Sequence, residues 1–433
     1  MPLPPPHRRP HRKLLIAAAV LVTFVFVHLL NRPDEVPSEP AIASELGDII
    51  KQQQQQQQSL LSESEHERAR TESAEGAVVS AQSVIAELQI EKEESSSSSS
   101  SSSLDTSNIN THTEDQQIII KKLQTSMHSH HSHSGDYVMH AKDHLEEIVQ
   151  KAVQMGFTTY CLTEHIPRNR LADLYPEESK LTITDLETTF AKFYAHARAL
   201  QTKYAPQITL LVGFETDYIR ADEYSPLIKT LQNTYKFDMF VGSVHHVASL
   251  PIDFDAARWT AAMQKAGGTP RALFAAYFDE QYAMLADLRP PVVGHFDLIR
   301  LFAPADDTAR PIARDWPDVW AKIVRNVEFV IRYGGLFELN SAAIRKGWSE
   351  PYPRSDVVQL IMQKGGRFCL SDDSHGLAQV GLNFHKVVKH VSQLGLRELY
   401  YLDLDDSGEA VVRKDEVEKL MTDPFWTQYD KLW

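Results

Sequence analysis

From residue 127 onward the chain alternates short apolar runs with amphipathic stretches. The runs Thr158 to Thr163, Ile208 to Phe214, Met239 to Val244, Pro291 to Gly294, Leu336-Phe337 and Phe368 to Leu370 read as strands, and the segment at Met127 adds another. Apolar positions at helical spacing predict helices over Lys142 to Met155, Thr184 to Gln201, Ala272 to Leu288, Trp316 to Tyr333, Ser355 to Lys364 and Leu377 to Leu394. Strands apolar on both faces and separated by helices are the signature of βα units with a parallel sheet. In a parallel α/β barrel every strand points the same way, so residues at the strand ends meet at one mouth. A further strand, Glu398 to Leu404, and a tail helix within residues 406–433 would pack outside it.

Upstream the pattern vanishes. Residues 31–126 hold a glutamine run, Gln52 to Gln58, and a serine run, Ser95 to Ser103, among Glu-rich stretches almost without aromatics. Such a linker has too little apolar surface to offset the entropy of ordering it, which predicts disorder. A basic flank, residues 1–13 with Arg8, Arg9, Arg12 and Lys13, precedes an apolar stretch from Leu14 to Leu30 broken only by Thr23 and His28. That stretch is about as short as a spanning helix can be. No small-residue cleavage site follows and Asn31-Arg32-Pro33 ends it, so residues 14–30 read as a single-pass signal anchor with the basic end inside.

Composition narrows the partners. The formal net charge of -14 argues against gripping nucleic acid through its phosphates, which needs a basic face. Cys161 and Cys369 both lie inside apolar runs and read as reduced core thiols. There is no Asn-x-Ser/Thr sequon to support a secretory route.

The strand ends carry the chemistry. The runs lead into Glu164-His165, Glu215, His245-His246, His295, Glu338 and Asp372-Asp373-Ser374-His375, while the segment at Met127 reads MHSHHSHS. Imidazoles and carboxylates together suit zinc, manganese or iron, provided they converge. His131 and His133 stand two apart, on one side of an extended chain, and His128 with His130 offer the rival register. Each mark has a plainer reading. The histidine cluster could be a low-complexity chelating tract, Glu164-His165 a helix cap before Pro167, and a lone histidine at a strand end a satisfied core residue. Their conjunction favours a multinuclear metallohydrolase over a membrane protein that only buffers metal, because a buffer could use the local tract alone.

The motifs MHSHHSHSGDY, LTEHIPR, GFETDY, VGSVHH, GHFDL, FELN and LSDDSH, spread from Met127 to about Leu404, are together similar to the polymerase-and-histidinol-phosphatase (PHP) family, in its fungal histidinol-phosphatase form. The resemblance implies a distorted (β/α)7 TIM-like barrel over residues 127–405, with three divalent ions at its mouth. By position it implies that His131, His133, Glu215 and Asp373 hold the first ion and that Glu215 bridges to a second with His245 and His295. His140, His165 and His375 hold the third, and His246 is the alternative to His245. Glu215, Asp373 and His375 would carry catalysis, with hydroxide between metals attacking phosphorus. Histidinol phosphate would be the small-molecule substrate, and hydrolysis would yield L-histidinol and phosphate in histidine biosynthesis. Arg168 and Arg345 are the expected phosphate ligands, with Lys346 weaker; Glu338 and Asn340 would orient ligands. Asp217, Tyr218 and Tyr352 are candidates for the substrate wall. A nuclease or nucleotide phosphoesterase of the same family is the rival, disfavoured by the acidic balance. Members of that type begin at the methionine corresponding to Met127; without residues 1–126 the enzyme would be cytoplasmic.

Overall fold

Two sheets of short strands are parallel throughout. Strand β1 (His128–Ser129) pairs with β2 (Thr159–Leu162) and β2 with β3 (Thr209–Val212). A second sheet orders β4 (Val241–Gly242), β7 (Val292–Val293), β8 (Leu336–Asn340) and β9 (Arg367–Ser371). Isolated parallel bridges join Glu215 to Val241 and Ser132 to Ser374. Around the second of these, His133 N–H donates to Ser374 O (2.7 Å) and Asp373 N–H to His131 O (3.1 Å). The backbone thus links β3 to β4 and β9 to β1. This computed structural model describes residues 127–423 and 425–426, so the predicted anchor, residues 14–30, and linker, residues 31–126, lie outside the described residues. Among the described residues, no helix is long and apolar enough to cross a membrane.

Side chains alternate across each strand, and the two faces have separate uses. Tyr160, Leu162, Leu210, Val212, Val293, Phe337, Leu339, Phe368 and Leu370 pack outward into a large core shared with the helices. Cys161, Leu211, Val241, Val292, Leu336 and Cys369 face the other way and form one small cluster with Met239 and Leu402. Two residues further along the same face come Thr163, Gly213, Ser243, Gly294, Glu338 and Ser371; two further still come His165, Glu215, His245, Asn340 and Asp373. The middle row is tight. A Cβ on Gly213 would lie 2.6 Å from the Met239 carbonyl oxygen, and one on Gly294 would collide with Ser243 Oγ. The glycines of GFETDY and VVGH therefore let the backbones approach where the inner space narrows.

Helices Leu145–Met155, Ile183–Tyr204, Pro270–Leu288, Pro317–Tyr333 and Ser355–Gln363 occupy the predicted places. The expected helix from Leu377 to Leu394 is shorter: Gly381 (φ 66°) and Asn383 (φ 67°) turn left-handed, so the α-helix runs only Phe384–Gln393. Helices Ala221–Thr234 and Ala256–Lys265 were not anticipated. Nor was the small hairpin of β5 (His246–Val247) and β6 (Leu250–Pro251), turned by Ala248 and Ser249 in positive φ. The tail expected to be helical begins instead as β11 (Ala410–Glu416), antiparallel to β10 (Glu398–Leu404), before a short helix, Val417–Met421. In β11 Val411, Arg413 and Asp415 alternate with Val412, Lys414 and Glu416, a pattern that serves an exposed hairpin arm better than a helix.

Candidate metal centre

Strand alternation decides the register of the histidine cluster. His128 and His130 turn toward the core backbone: His128 Nε2 accepts from Leu370 N–H (3.2 Å), and His130 joins Leu370 O (3.1 Å) to Leu402 N–H (2.9 Å). Burial lowers His130 to a pKa of about 4, so it sits neutral as a structural link. His131 and His133 face the opposite side, their Nε2 atoms 3.1 Å apart.

Both meet Glu215, whose carboxylate is the hub. Its Oε2 lies 3.2 Å from His131 Nε2, 3.4 Å from His133 Nε2 and 3.1 Å from His165 Nδ1. Its Oε1 lies 3.2 Å from His245 Nε2 and 3.0 Å from His295 Nε2. His295 would leave this face by strict alternation, but the chain departs from β7 there. Its N–H donates to Glu338 Oε2 at 2.6 Å, which turns the ring inward. Asp373 Oδ1 stands 3.9 and 3.8 Å from the same nitrogens of His131 and His133. Asp373 adopts a left-handed backbone (φ 49°), a conformation unfavourable for a residue with a Cβ and typical of side chains aimed for function.

His375 brings its ring 4.5 Å from that of His133. His140 sits outermost, its ring 5.1 Å from His375 and 5.7 Å from His165, with Nδ1 3.5 Å from Glu177. His144 turns away to Asp136 (2.7 Å), and the stretch between them is a turn, not the helix expected from Lys142. Between the two adjacent histidines after β4, His245 reaches Glu215 whereas His246 is buried near Tyr175, its pKa lowered by burial to about 4.

Carboxylates hold the imidazoles from behind. Glu338 Oε1 pairs with His131 Nδ1 at 2.9 Å, which directs Nε2 at Glu215, and Asn340 Nδ2 ties Glu338 (3.0 Å) to Asp373 (3.3 Å). Glu338 lies inside β8, not after it. Asp217, two residues past Glu215 and fully buried, stands 3.1 Å from His245 Nδ1 and 3.7 Å from His165 Nδ1. That is a correction to its reading as substrate wall; the i, i+2 spacing from Glu215 was the available signal. Tyr218 and Tyr352 do not line the central cavity. Asp372 accepts from the Ser374 and Gly381 N–H groups (3.1 and 2.6 Å), and burial raises it to about 6. It ties the loop together from outside the cluster.

The cluster is electrostatically unsettled as it stands. Burial opposes a proton on His131, yet Glu215, Asp373 and Glu338 together hold it well above the ordinary imidazole range. His133, under the same opposition, is raised to about 9 by Glu164 and Glu215. Burial in turn disfavours charge on Glu215, and the surrounding imidazoles pull it well below the carboxylate range. Nδ1 of His133, His165, His245 and His295 and both Asp217 oxygens are buried and make no well-aligned hydrogen bond, although His165 and His245 each have a carboxylate oxygen at 3.1 Å. Ligand atoms gather within 4.8 Å of one another in the sets His131-His133-Asp373, His131-Glu215-His295, His133-His165-His375 and His165-Asp217-His245. Imidazole nitrogens and carboxylate oxygens gathered this closely in a buried site are what divalent cations satisfy.

The cluster opens on a cavity of about 390 Å³. Arg345 and Lys346 line it, Arg345 held by the carbonyls of Asp372 (3.4 Å) and Asp373 (3.1 Å). Arg168 does not. It is buried between Asp217 (3.3 Å) and Glu178 (3.4 Å) and under the Tyr175 ring, so its expectation as a phosphate ligand gives way to one of anchoring Asp217. Asp217 lies far from Arg168 in sequence, and no local motif announces the pairing.

The PHP domain family matches residues 129–342. The histidinol-phosphatase of Saccharomyces cerevisiae is 40% identical over 334 residues, covering 69% of this chain and 99% of its own length. A probable histidinol-phosphatase of Schizosaccharomyces pombe is 43% identical over 301 residues, covering 70% and 96%. Among solved structures, the histidinol phosphate phosphatase of Lactococcus lactis, complexed with zinc, L-histidinol and phosphate, matches with a TM-score of 0.51 at 16% identity, covering 66% of this chain and 99% of that one. That likeness shows a shared fold. With two fungal relatives matched over nearly their whole length, the chain belongs to the PHP-domain histidinol-phosphatases.

Proposed function

We propose that the protein is a metal-dependent phosphomonoesterase that hydrolyses L-histidinol phosphate to L-histidinol and phosphate, on a distorted (β/α)7 barrel closed by the bridges at Glu215 and Ser132. The observation that carries the reading is one carboxylate, Glu215, within 3.0 to 3.4 Å of five imidazoles. His131, His133, Glu215 and Asp373 would hold a first divalent ion, Glu215, His245 and His295 a second, and His140, His165 and His375 a third. When bound, such ions supply a nucleophilic water at neutral pH and neutralise phosphoryl oxygens.

The chain's own residues do the rest. Glu338 fixes the tautomer and direction of His131 through the 2.9 Å hydrogen bond at Nδ1, and Asp217, with its oxygen 3.1 Å from His245 Nδ1, is placed to support that ring from behind. Arg168, paired with Asp217, keeps that carboxylate charged, drawing it far below its usual range against the cost of burial. Arg345 offers the phosphate a guanidinium fork and Lys346 a point charge, from the end of the short helix Ala342–Arg345, and the two carbonyl contacts hold the guanidinium beside Asp373. Zinc, seen in the Lactococcus enzyme, suits this mixed nitrogen and oxygen set, as do manganese and iron.

The test is phosphate release by the full-length protein loaded in turn with zinc, manganese or iron. Histidinol phosphate should turn over much faster than nucleotides or nucleic acid; equal or absent turnover would discard this substrate.

A further inference from the structure

The same cavity carries a second chemistry that the metal cluster does not use. Its wall includes Tyr175, Glu177, Asp253 and Phe254, which come from the loops after β2 and β6. Tyr175 and Phe254 stack with centroids 5.6 Å apart and planes 13° off parallel. Arg168 lies 4.7 Å from the Tyr175 ring and Arg258 4.4 Å from that of Phe254, so both rings are held by cations. Phe254 is still 38% exposed, unusual for so large an apolar side chain.

The backbone explains how Asp253 and Phe254 arrive there. Ala248 N–H, in the β5–β6 turn, is held by Glu280 (2.8 Å), Ile252 N–H donates to His245 O (2.9 Å), and Ile252 is fully buried. Three residues on, Asp255 caps the helix Ala256–Lys265 by accepting from Arg258 N–H at 2.7 Å. Asp253 and Phe254 are therefore pinned on both sides. Glu177 already has His140 at 3.5 Å, whereas Asp253 Oδ1 is buried with no hydrogen-bond partner. A carboxylate oxygen kept from water and left unpaired costs free energy unless a cation or donor visits it.

We infer that Asp253 is a specificity determinant that receives the ammonium group of the substrate, while Tyr175 and Phe254 form the wall for its flat ring. The inference rests on the phosphatase reading above and deepens it. Arg345 and Lys346 offer cations for the phosphate, and Asp253 offers an anion for an amine protonated at neutral pH. The cavity thus fits an aminoalkyl phosphate carrying both charges, and it disfavours esters without the amine because Asp253 Oδ1 would then stay unpaired.

The test compares L-histidinol phosphate with its deamino analogue, 3-(imidazol-4-yl)propyl phosphate, on the full-length metal-loaded protein and its Asp253→Asn variant. The wild type should prefer the amine-bearing ester at least tenfold in kcat/KM, chiefly through KM, and Asp253→Asn should cut that preference at least tenfold. Asp253→Glu, which keeps the charge, should restore most of it. An unchanged preference in Asp253→Asn overturns the inference. Should that variant not fold, inhibition of the wild type is compared for L-histidinol and 3-(imidazol-4-yl)propan-1-ol, and equal inhibition overturns it as well. If the wild type cleaves neither ester, the phosphatase reading itself has failed; if it cleaves both equally, only the ammonium site has.

Discussion

The two ends of the inner strand face are built from one backbone and treat burial in opposite ways. At the N-terminal end Cys161, Leu211, Val241, Val292, Leu336 and Cys369 close an apolar plug with Met239 and Leu402. Burial there raises both thiols well above their usual range, so they stay protonated and inert. Four residues on, the same face carries His165, Glu215, His245 and Asp373, largely buried but polar, where the cluster meets the cavity. The plug stabilises by excluding water; the far end is costly until opposite charges or metal ions occupy it. Stability and chemistry are thus separated by about 13 Å of strand, at about 3.3 Å per residue.

The sharpest break in that contrast is Glu215→Gln. One carboxylate serving five imidazoles cannot be replaced by an amide that donates as well as accepts, so metal content should fall. With it kcat/KM should drop about 10³-fold or more, a loss of about 4 kcal/mol in transition-state stabilisation. Elemental analysis beside the phosphate assay reads both; a variant that kept its full metal complement would refute the ligand assignment. The counterpart is Leu211→Ala, in the strand that leads to Glu215 and fully buried. Denaturant unfolding of the metal-loaded protein should show a loss of about 2–5 kcal/mol, while metal stoichiometry and kcat of the folded enzyme stay within about twofold. A large loss of metal from this variant would mean that the two ends are not independent.

This division was partly visible in the sequence. Strands β2, β3, β7 and β9 are apolar on both faces and bounded by helices, and β10 (Glu398–Leu404) fell on its expected limits. His131 and His133 could be paired by spacing, but only the contacts of His128 and His130 with Leu370 decide which pair faces inward. The helix Ala221–Thr234 hid because it buries only Tyr224, Ile228 and Leu231 and contains Pro226. Arg168 and Asp217 were misread because each is defined by the other, across a gap that periodicity does not see. The cavity wall at Asp253 and Phe254 was missed because it hangs on a hairpin of two-residue strands, too short to leave a pattern.

A gentler break is Glu338→Gln, which spares every proposed ligand. An amide oxygen could still accept from His131 Nδ1, but its NH2 would then face the His295 N–H that Glu338 now accepts at 2.6 Å. Metal affinity or activity should fall about 10- to 100-fold, the range typical of groups that support ligands from behind. Metal competition titrations measure it, and an unaltered affinity would show that Glu338 does not orient His131. Proton linkage sharpens the same point. The carboxylates around His131 and His133 raise both above the ordinary imidazole range, so near pH 7 this pair retains a proton that a bound ion must displace. Affinity should therefore weaken as pH falls, by about tenfold per pH unit for each proton displaced, and calorimetry in buffers of different ionisation enthalpy should register proton release on binding. Binding without proton release would mean that these imidazoles are already neutral.

Arg345→Ala has the smallest expected effect because Arg345 lies on the rim of the charged end and not within it. Its guanidinium leans on the Asp372 and Asp373 carbonyls at 3.4 and 3.1 Å, and removing it takes away a phosphate partner without disturbing the imidazoles around Glu215. Lys346 remains in the cavity to supply part of the missing charge. KM for histidinol phosphate should rise up to about tenfold, roughly 1.4 kcal/mol, with kcat falling less and metal content unchanged. Arg345→Lys should recover only part of the loss, since an ammonium cannot reproduce a bidentate fork. Should kcat fall with KM unaltered, the guanidinium would be acting on the transition state alone, and the boundary between rim and centre would have to be drawn outside Arg345.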